Sequence, residues 1–391
     1  MLTGLRVLDF TRVLAGPYAT RVLADYGAQV IKVQSKRTAQ GAEAELSPYF
    51  CAWNRNKKGI TLDMAHPEAR QLARRLVAVC DVVIENFSPR VMGNWGLDYR
   101  RLVEVKPDCI LVSMSGMGQS GPWKNHVAFG PTVHALSGLT YLTSFERDAP
   151  LGPGFAYADL VAGLYAVLAV LGALEHREKT GKGQHIDLSQ YEAMCSLMGP
   201  VLMEALAGGK DPLPLGNGPQ GGQDAPQGCY PCLGEDRWCV IAVHNDSQWN
   251  ALCGVLGNPH WAKDERFRGS CGRSRWAREL DGHIGRWTGG RKAETVAAAL
   301  QGAGVPAAVV QNAEDLSKDP RLLARGAFVA LEHPVLGTMA SDAPPIGFGG
   351  PWTVRRSAAP LLGQDNRYVY MELLGLTETQ LSDYEKRGVI G

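Results

Sequence analysis

Leu5-Arg6-Val7-Leu8-Asp9-Phe10, a turn at Gly16-Pro17, a helical stretch over residues 18–26 closed by Gly27, and Ala28-Gln29-Val30-Ile31-Lys32-Val33 give strand, helix and strand in quick succession. Two short apolar runs joined through one helix read as a parallel βαβ unit. The alternation continues past a polar, irregular stretch (34–56): helix over 67–80, strand over 81–85, helix over 100–106, strand over 109–113. The expected fold class is therefore α/β, with a doubly wound parallel sheet. In such sheets ligands sit beyond the carboxyl ends of strands. Three segments fall there: residues 11–17, Asn86-Phe87-Ser88-Pro89-Arg90, and residues 115–122.

The middle of the chain is organised around Tyr157-Ala158-Asp159 and the apolar run it opens, 160–174. An aspartate at the head of a helix accepts free backbone N–H groups and is held anionic by the helix dipole. The same place suits a carboxylate nucleophile, and both readings stand at this point. The run is shorter than the ~20 residues a bilayer crossing needs, so a buried core helix is expected. A strand over 184–188 and a helix over 191–207 follow. Residues 208–228 are then Gly, Pro, Gln and Asp with few apolar side chains, the composition of a linker or mobile loop. Beyond it, Trp238-Cys239-Val240-Ile241-Ala242-Val243 and Ala307-Ala308-Val309-Val310 read as strands among short helices. The expected division is a large domain, 1–207, completed by 326–391, with a linker at 208–228 and a smaller α+β lobe at 229–325.

At 391 residues the chain exceeds what one core supports. With 40 Lys+Arg against 39 Asp+Glu, no general nucleic-acid or membrane-surface binder is expected, and any anion binding must be local. Nine scattered cysteines suit free thiols in a reducing cytoplasm. Met1-Leu2-Thr3-Gly4-Leu5-Arg6 lacks the basic-then-apolar order of a signal peptide.

Three motifs carry competing readings. Gly116-Met117-Gly118-Gln119-Ser120-Gly121 has the spacing of a dinucleotide fingerprint, but Pro122 follows and the strand before it is not the first, so a turn is expected. Cys229-Tyr230-Pro231-Cys232 has redox or zinc spacing without a second pair, which favours ordinary thiols and no metal. Asn54-Arg55-Asn56-Lys57-Lys58-Gly59, with Lys36-Arg37, is either a solvated basic turn or a phosphate clamp.

The order of these segments resembles the class III CoA-transferase family, also called the formyl-CoA transferase or CaiB/BaiF family. The likeness is carried by the first βαβ unit with Thr11-Arg12-Val13-Leu14-Ala15-Gly16-Pro17, by Asn54-Arg55-Asn56-Lys57-Lys58 and Glu85-Asn86-Phe87, and by Ser137-Gly138-Leu139 with Tyr157-Ala158-Asp159. It extends through Gly181-Lys182-Gly183-Gln184, Gly304-Val305-Pro306-Ala307-Ala308 and Leu362-Gly363-Gln364. The resemblance implies a Rossmann-like large domain, a smaller lobe, and a homodimer of interlocked chains. It also implies a cytoplasmic enzyme that moves CoA from an acyl-CoA to a carboxylic acid, with no permanently bound cofactor.

By the same resemblance Asp159 is the nucleophile, carrying anhydride and aspartyl-CoA thioester intermediates. CoA contacts are expected from Arg12, Val13, Ala15, Lys36, Arg37, Lys57, Lys58, Asn86, Phe87 and Arg90, and a glycine-rich loop over the site is expected within 216–228. The family's 2-methylacyl-CoA racemases are the alternative. They use a histidine that aligns with Phe129, which cannot transfer a proton, and His126 and His134 lie nearby but out of register, so transferase chemistry is favoured. Leu14 stands where some transferases carry Gln, and Gln34 where Glu is common.

Overall fold

The alternating strands and helices form one six-stranded sheet in this computed structural model, which describes residues 1–145, 148–209, 213–214, 216–218, 224–348 and 356–391. Its strands are β1 (Arg6–Asp9), β2 (Gln29–Gln34), β3 (Lys58–Thr61), β4 (Val82–Glu85), β5 (Ile110–Ser115) and β6 (His185–Ser189). They lie in the order β3-β2-β1-β4-β5-β6, and every pair is parallel. The order runs outward both ways from β1 and β4. The topological switch point, where α/β sheets open a crevice for ligands, therefore lies between the carboxyl ends of those two strands.

Alternate strand residues serve opposite faces. Leu8, Ile31, Ile60, Val83 and Leu111 share one apolar cluster with Leu72, Leu76, Val369 and Tyr370. Val7, Val30, Val82, Ile84 and Ile110 share a second with Ala19, Leu23, Ala162, Ala166 and Val170. With both faces covered, the strands read as near-continuous apolar runs. The first face is covered by the helix Pro67–Val79 and by the end of the chain, where a π-helical turn, Tyr368–Leu373, precedes the helix Glu378–Lys386. The Tyr370 hydroxyl fixes that end by donating to the Thr61 carbonyl at 2.8 Å. The second face carries the helices Ala15–Asp25 and Tyr157–Thr180.

The chain divides into two compact units, Met1–Thr140 with Gly152–Asp211 and Ala324–Gly391, and Tyr141–Leu151 with Pro212–Leu323. The second holds an antiparallel sheet of β7 (Gln227–Pro231), β8 (Trp238–Ala242) and β9 (Ala307–Val309). Its core is built from Trp249, Leu252, Phe267, Ile284 and Leu300.

Several local expectations are corrected. Gly16-Pro17 is not a turn but part of the first turn of Ala15–Asp25, where the missing proline N–H has no intrahelical partner to lose. The irregular stretch 34–56 contains the helix Pro48–Asn54, started by Ser47, whose hydroxyl accepts the Tyr49 N–H. The helix expected over 191–207 is two, Gln190–Leu197 and Gly199–Gly208, interrupted at Gly199-Pro200. Strands Phe328–His333 and Gly337–Asp342 form a hairpin that periodicity did not reveal. The Asp159 helix is only half a core helix: its 24 residues bury Ala162, Ala166 and Val170 but expose Leu164, Tyr165, Leu168 and Leu171. By length and composition alone it could cross a membrane.

Candidate active site

The helix Tyr157–Thr180 begins after Ala156, so Asp159 is its third residue and not its cap. One turn further on, a Cβ at Gly163 would stand 2.9 Å from the Ala15 carbonyl oxygen and 2.9 Å from the Tyr18 ring. Only glycine lets the two helices approach this closely. The close crossing brings the Ala15 N–H toward the Asp159 carboxylate, and with the Asp159 N–H it favours the anion. From the other side comes Gly130, first residue of the helix Gly130–Leu136, where a Cβ would lie 2.5 Å from Asp159 Oδ2.

This enclosure alters the acidity expected from sequence. A helix N-terminus alone would lower a carboxyl pKa. Burial instead pushes Asp159 up to about 6, outweighing the two N–H groups that favour its anion. The carboxylate is still mostly ionised at pH 7, yet more basic than a solvated aspartate. Tyr49 faces the same region: its pKa is raised by burial and then by the charge of Asp159.

Gly130 provides a direct test of this geometry. A methyl group there must displace the carboxylate, and ångström-scale misplacement of a reacting group costs about a hundredfold in rate. Gly130→Ala is expected to lower kcat by about that factor while the far-ultraviolet circular dichroism is retained. Wild-type turnover in this variant would show that the carboxylate's position does not matter.

The crevice at the switch point holds a cavity of about 240 Å³ lined by Phe10, Arg12, Val33, Arg37, Phe87 and Trp95, among others. Three of the residues expected to contact CoA thus meet in one place. The cavity joins aromatic and aliphatic side chains to two guanidinium groups, with Gln34, Ser35, Thr38 and Asp63 on its polar side, a mixed lining that can take a planar base next to phosphate where Arg12 and Arg37 face it. Asn86 contributes through the backbone: its side chain accepts the Arg12 N–H at 2.8 Å and donates to the Arg12 carbonyl at 2.8 Å, joining the loops after β1 and β4. Glu85 holds the adjoining turn by accepting the Phe87 N–H at 2.7 Å, and burial pushes its carboxyl up to about 7. Between Arg12 at the cavity and Ala15 at the carboxylate lies Val13, with φ of +67° and its N–H bonded to Glu43 at 2.9 Å. A β-branched residue in that region is strained, a cost typically tolerated at functional loops.

The basic run takes neither form expected of it. Arg55 is buried and pairs with Asp25 and Asp342. Lys57 is buried, with its ammonium surrounded by four acceptors, Asp9, Thr20, Asn54 and the Pro17 carbonyl, at 2.7–3.0 Å, enough to engage all its N–H groups. Burial, against the attraction of Asp9, lowers that ammonium to about 8. Asp9 is also buried, but Lys32, Lys57, Thr11 and Thr20 hold its carboxyl below the usual range. Lys58 is tied to Asp365 at 2.8 Å. As placed, Lys57 has no donor left for a phosphate. Lys36, Arg37 and Arg90 are exposed, and Arg37 faces Asp63 at 3.3 Å.

Gly116 to Gly121 open no helix: Gly118 and Gly121 adopt positive φ in a turn whose Gln119 N–H is taken by Asp187 at 2.7 Å. Among the described residues no cluster of metal-ligand side chains occurs. Phe129, at the racemase histidine position, is exposed just before the Gly130 helix. His126 stacks on Trp123, and His134 Nε2 is engaged by the Ala158 N–H at 2.9 Å. Residues 219–223 of the expected glycine loop lie outside the described residues. Sequence reasoning passed over Gly130 and Gly163, whose only signal was a glycine within or at the start of a helix, and set His134 aside as out of register.

A crevice at the switch point of a parallel sheet, joined by one short loop to a partly dehydrated carboxylate, is the arrangement of an α/β enzyme. Comparison with known proteins makes the class specific: residues 2–366 match the model of CoA-transferase family III, and the chain belongs to that family. It is 33% identical to the succinyl-CoA–D-citramalate CoA-transferase of Chloroflexus aurantiacus, over 100% of this chain and 98% of that protein. It is 30% identical to the mouse succinyl-CoA:glutarate CoA-transferase, over 100% of this chain and 90% of that one. Among solved structures, a CaiB/BaiF family protein from Brucella suis matches with a TM-score of 0.88 and 33% identity, covering 95% of this chain and 99% of the other.

Proposed function

We propose that Asp159 is the covalent nucleophile of an acyl-CoA:carboxylate CoA-transferase. The observation that carries this reading is the Asp159 carboxylate itself, raised in basicity by burial yet held between the Ala15 N–H and Gly130. A carboxylate oxygen attacks the donor thioester carbonyl, the C–S bond breaks, and CoA thiolate leaves a mixed anhydride. The thiolate then attacks the aspartyl carbonyl, releasing the donor acid and leaving an aspartyl-CoA thioester. The acceptor carboxylate attacks that thioester, expelling CoA thiolate and forming a second anhydride. Attack of the thiolate on its acceptor acyl carbon yields the new acyl-CoA and restores Asp159. The chemistry needs no resident cofactor, because CoA is its own carrier. N–H donors such as that of Ala15 are suited to the oxyanions formed along the way.

In this reading Arg12, Arg37 and Phe87 hold the nucleotide end of CoA in the switch-point cavity, and the strained loop through Val13 leads toward Asp159. The exposed leucines of the Asp159 helix, with Leu202, Met203 and Leu206 of Gly199–Gly208, are apolar faces that a second copy of the chain would cover in a homodimer. The free cysteines suit the cytoplasm. The names of the relatives direct the first substrate panel to succinyl-CoA and small dicarboxylates.

Incubation with a panel of acyl-CoA donors, acid quench and intact-mass spectrometry tests the reading. A CoA or acyl adduct on the Asp159 peptide is expected, forming more slowly as pH falls through about 6. Catalytic turnover without any adduct on that peptide would refute it. Solvent deuterium entering the α-position of a 2-methylacyl-CoA without a carboxylate acceptor would establish the racemase alternative.

A further inference from the structure

An α-helix leaves its first N–H groups without intrahelical acceptors, and the residue that ordinarily takes one is the N-cap. Here the N-cap is Ala156, which has no side-chain oxygen. Buried N–H groups must still be satisfied, and in this first turn two are bonded outside the helix's own ladder. Tyr157 N–H goes to the Phe155 carbonyl at 2.8 Å. Asp159 N–H lies beside its own carboxylate and favours its anion. Ala158, 0% exposed, gives its N–H to His134 Nε2 at 2.9 Å. The cap is thus an imidazole supplied by another helix.

His134 lies on the helix Gly130–Leu136, one turn beyond the glycine that abuts Asp159 Oδ2, and is itself buried. One short helix therefore touches the nucleophile's surroundings twice. To accept the Ala158 N–H, Nε2 must be unprotonated, so the neutral ring carries its proton on Nδ1. Burial, which lowers the histidine pKa, maintains that state. Without this acceptor the buried Ala158 N–H would need another. An acidic side chain in the first turn is what helix termini ordinarily recruit, and here that side chain is Asp159.

We propose that His134 is a positioning residue for the transfer reaction: by taking the Ala158 N–H it spares the Asp159 carboxylate from turning back to cap that group and holds it toward the reacting carbonyl. The inference rests on Asp159 being the nucleophile. His134 acts through Asp159 and moves no proton in the reaction.

The test compares His134→Phe and His134→Leu, which lack an acceptor, with His134→Gln, which restores one. The readout is the single-turnover rate of adduct formation on Asp159 by rapid acid quench, using succinyl-CoA or whichever donor of the panel labels the wild type fastest. The apolar variants are expected to form the adduct about tenfold more slowly, the scale of a lost helix cap, with donor KM within about twofold and His134→Gln within about threefold of wild type. A folded apolar variant that labels at the wild-type rate overturns the proposal, as does a Gln variant as slow as the apolar ones. Should neither apolar variant fold, His134→Gln decides alone: labelling within about threefold of wild type supports the acceptor role and a tenfold loss overturns it. No adduct on wild-type protein that turns over overturns the Asp159 reading and this one with it. Wild-type adduct with an unimpaired Phe variant overturns this one only.

Discussion

Replacement of Asp159 by Asn is expected to abolish CoA transfer, by at least about a thousandfold in kcat, and at the same time to make the protein more stable at pH 7. In the proposed reaction the loss follows from removing the carboxylate on which acyl group and CoA are exchanged. The gain follows from the sign of the pKa shift. In the folded chain the carboxyl titrates near 6, above its ordinary 3.8, because burial disfavours the anion. Between those values the folded state binds more protons than the unfolded state, so stability falls as pH rises through that window and the penalty is complete above 6. A shift of about two units, with some discount for partial solvation, corresponds to roughly 2 kcal/mol. Asn carries no such penalty. Denaturant unfolding followed at pH 4 and pH 7.5 should show the two proteins nearly equal in acid and the Asn variant more resistant at the higher pH. A variant that is inactive and less stable at pH 7.5 would mean that the carboxylate is a structural cap.

The contrast between cap and nucleophile shows what the chain disclosed on its own. The βαβ alternation was legible because strands covered on both faces need unbroken apolar runs, and Leu8 and Val7 serve the two faces in turn. Asp159 was legible as a residue, but its acidity was misjudged. The dipole argument uses only the helix that carries it, whereas the enclosure comes from segments remote in sequence, with Gly130 against Oδ2 and the Ala15–Asp25 helix crossing close at Gly163. His134 was visible only as a histidine in the wrong register, because its role depends on Ala156 failing to cap and on another helix standing close by. The basic run shows the same limit. Three cations in four positions look like a surface feature, and nothing local indicates that Asp9 and Asp25 lie opposite them.

Asp9→Asn is expected to be the most destabilising single change near the crevice, at about 3–5 kcal/mol. Asp9 ends β1 with its carboxylate fully buried, accepting from the Thr11 N–H at 2.8 Å, the Thr11 hydroxyl at 2.6 Å, the Thr20 hydroxyl at 2.7 Å and Lys57 at 3.0 Å. Lys32 lies 3.9 Å away, equally buried, and also donates to the Thr11 carbonyl. An amide in place of the carboxylate would leave two ammonium groups facing each other with no buried counter-charge. Lys57→Met should cost less, because Asp9 keeps Lys32 and both threonines, and Asp9→Asn in that background should lose less than it does alone. The same pair separates the two uses of the basic run. If Lys57 serves the fold, Lys57→Met lowers the urea midpoint and leaves calorimetric CoA affinity within about threefold, whereas Arg12→Ala weakens CoA binding about tenfold with the midpoint nearly unchanged, as expected for a lost charge-assisted phosphate contact. A Lys57→Met protein of wild-type stability that no longer binds CoA would return the lysine to the ligand.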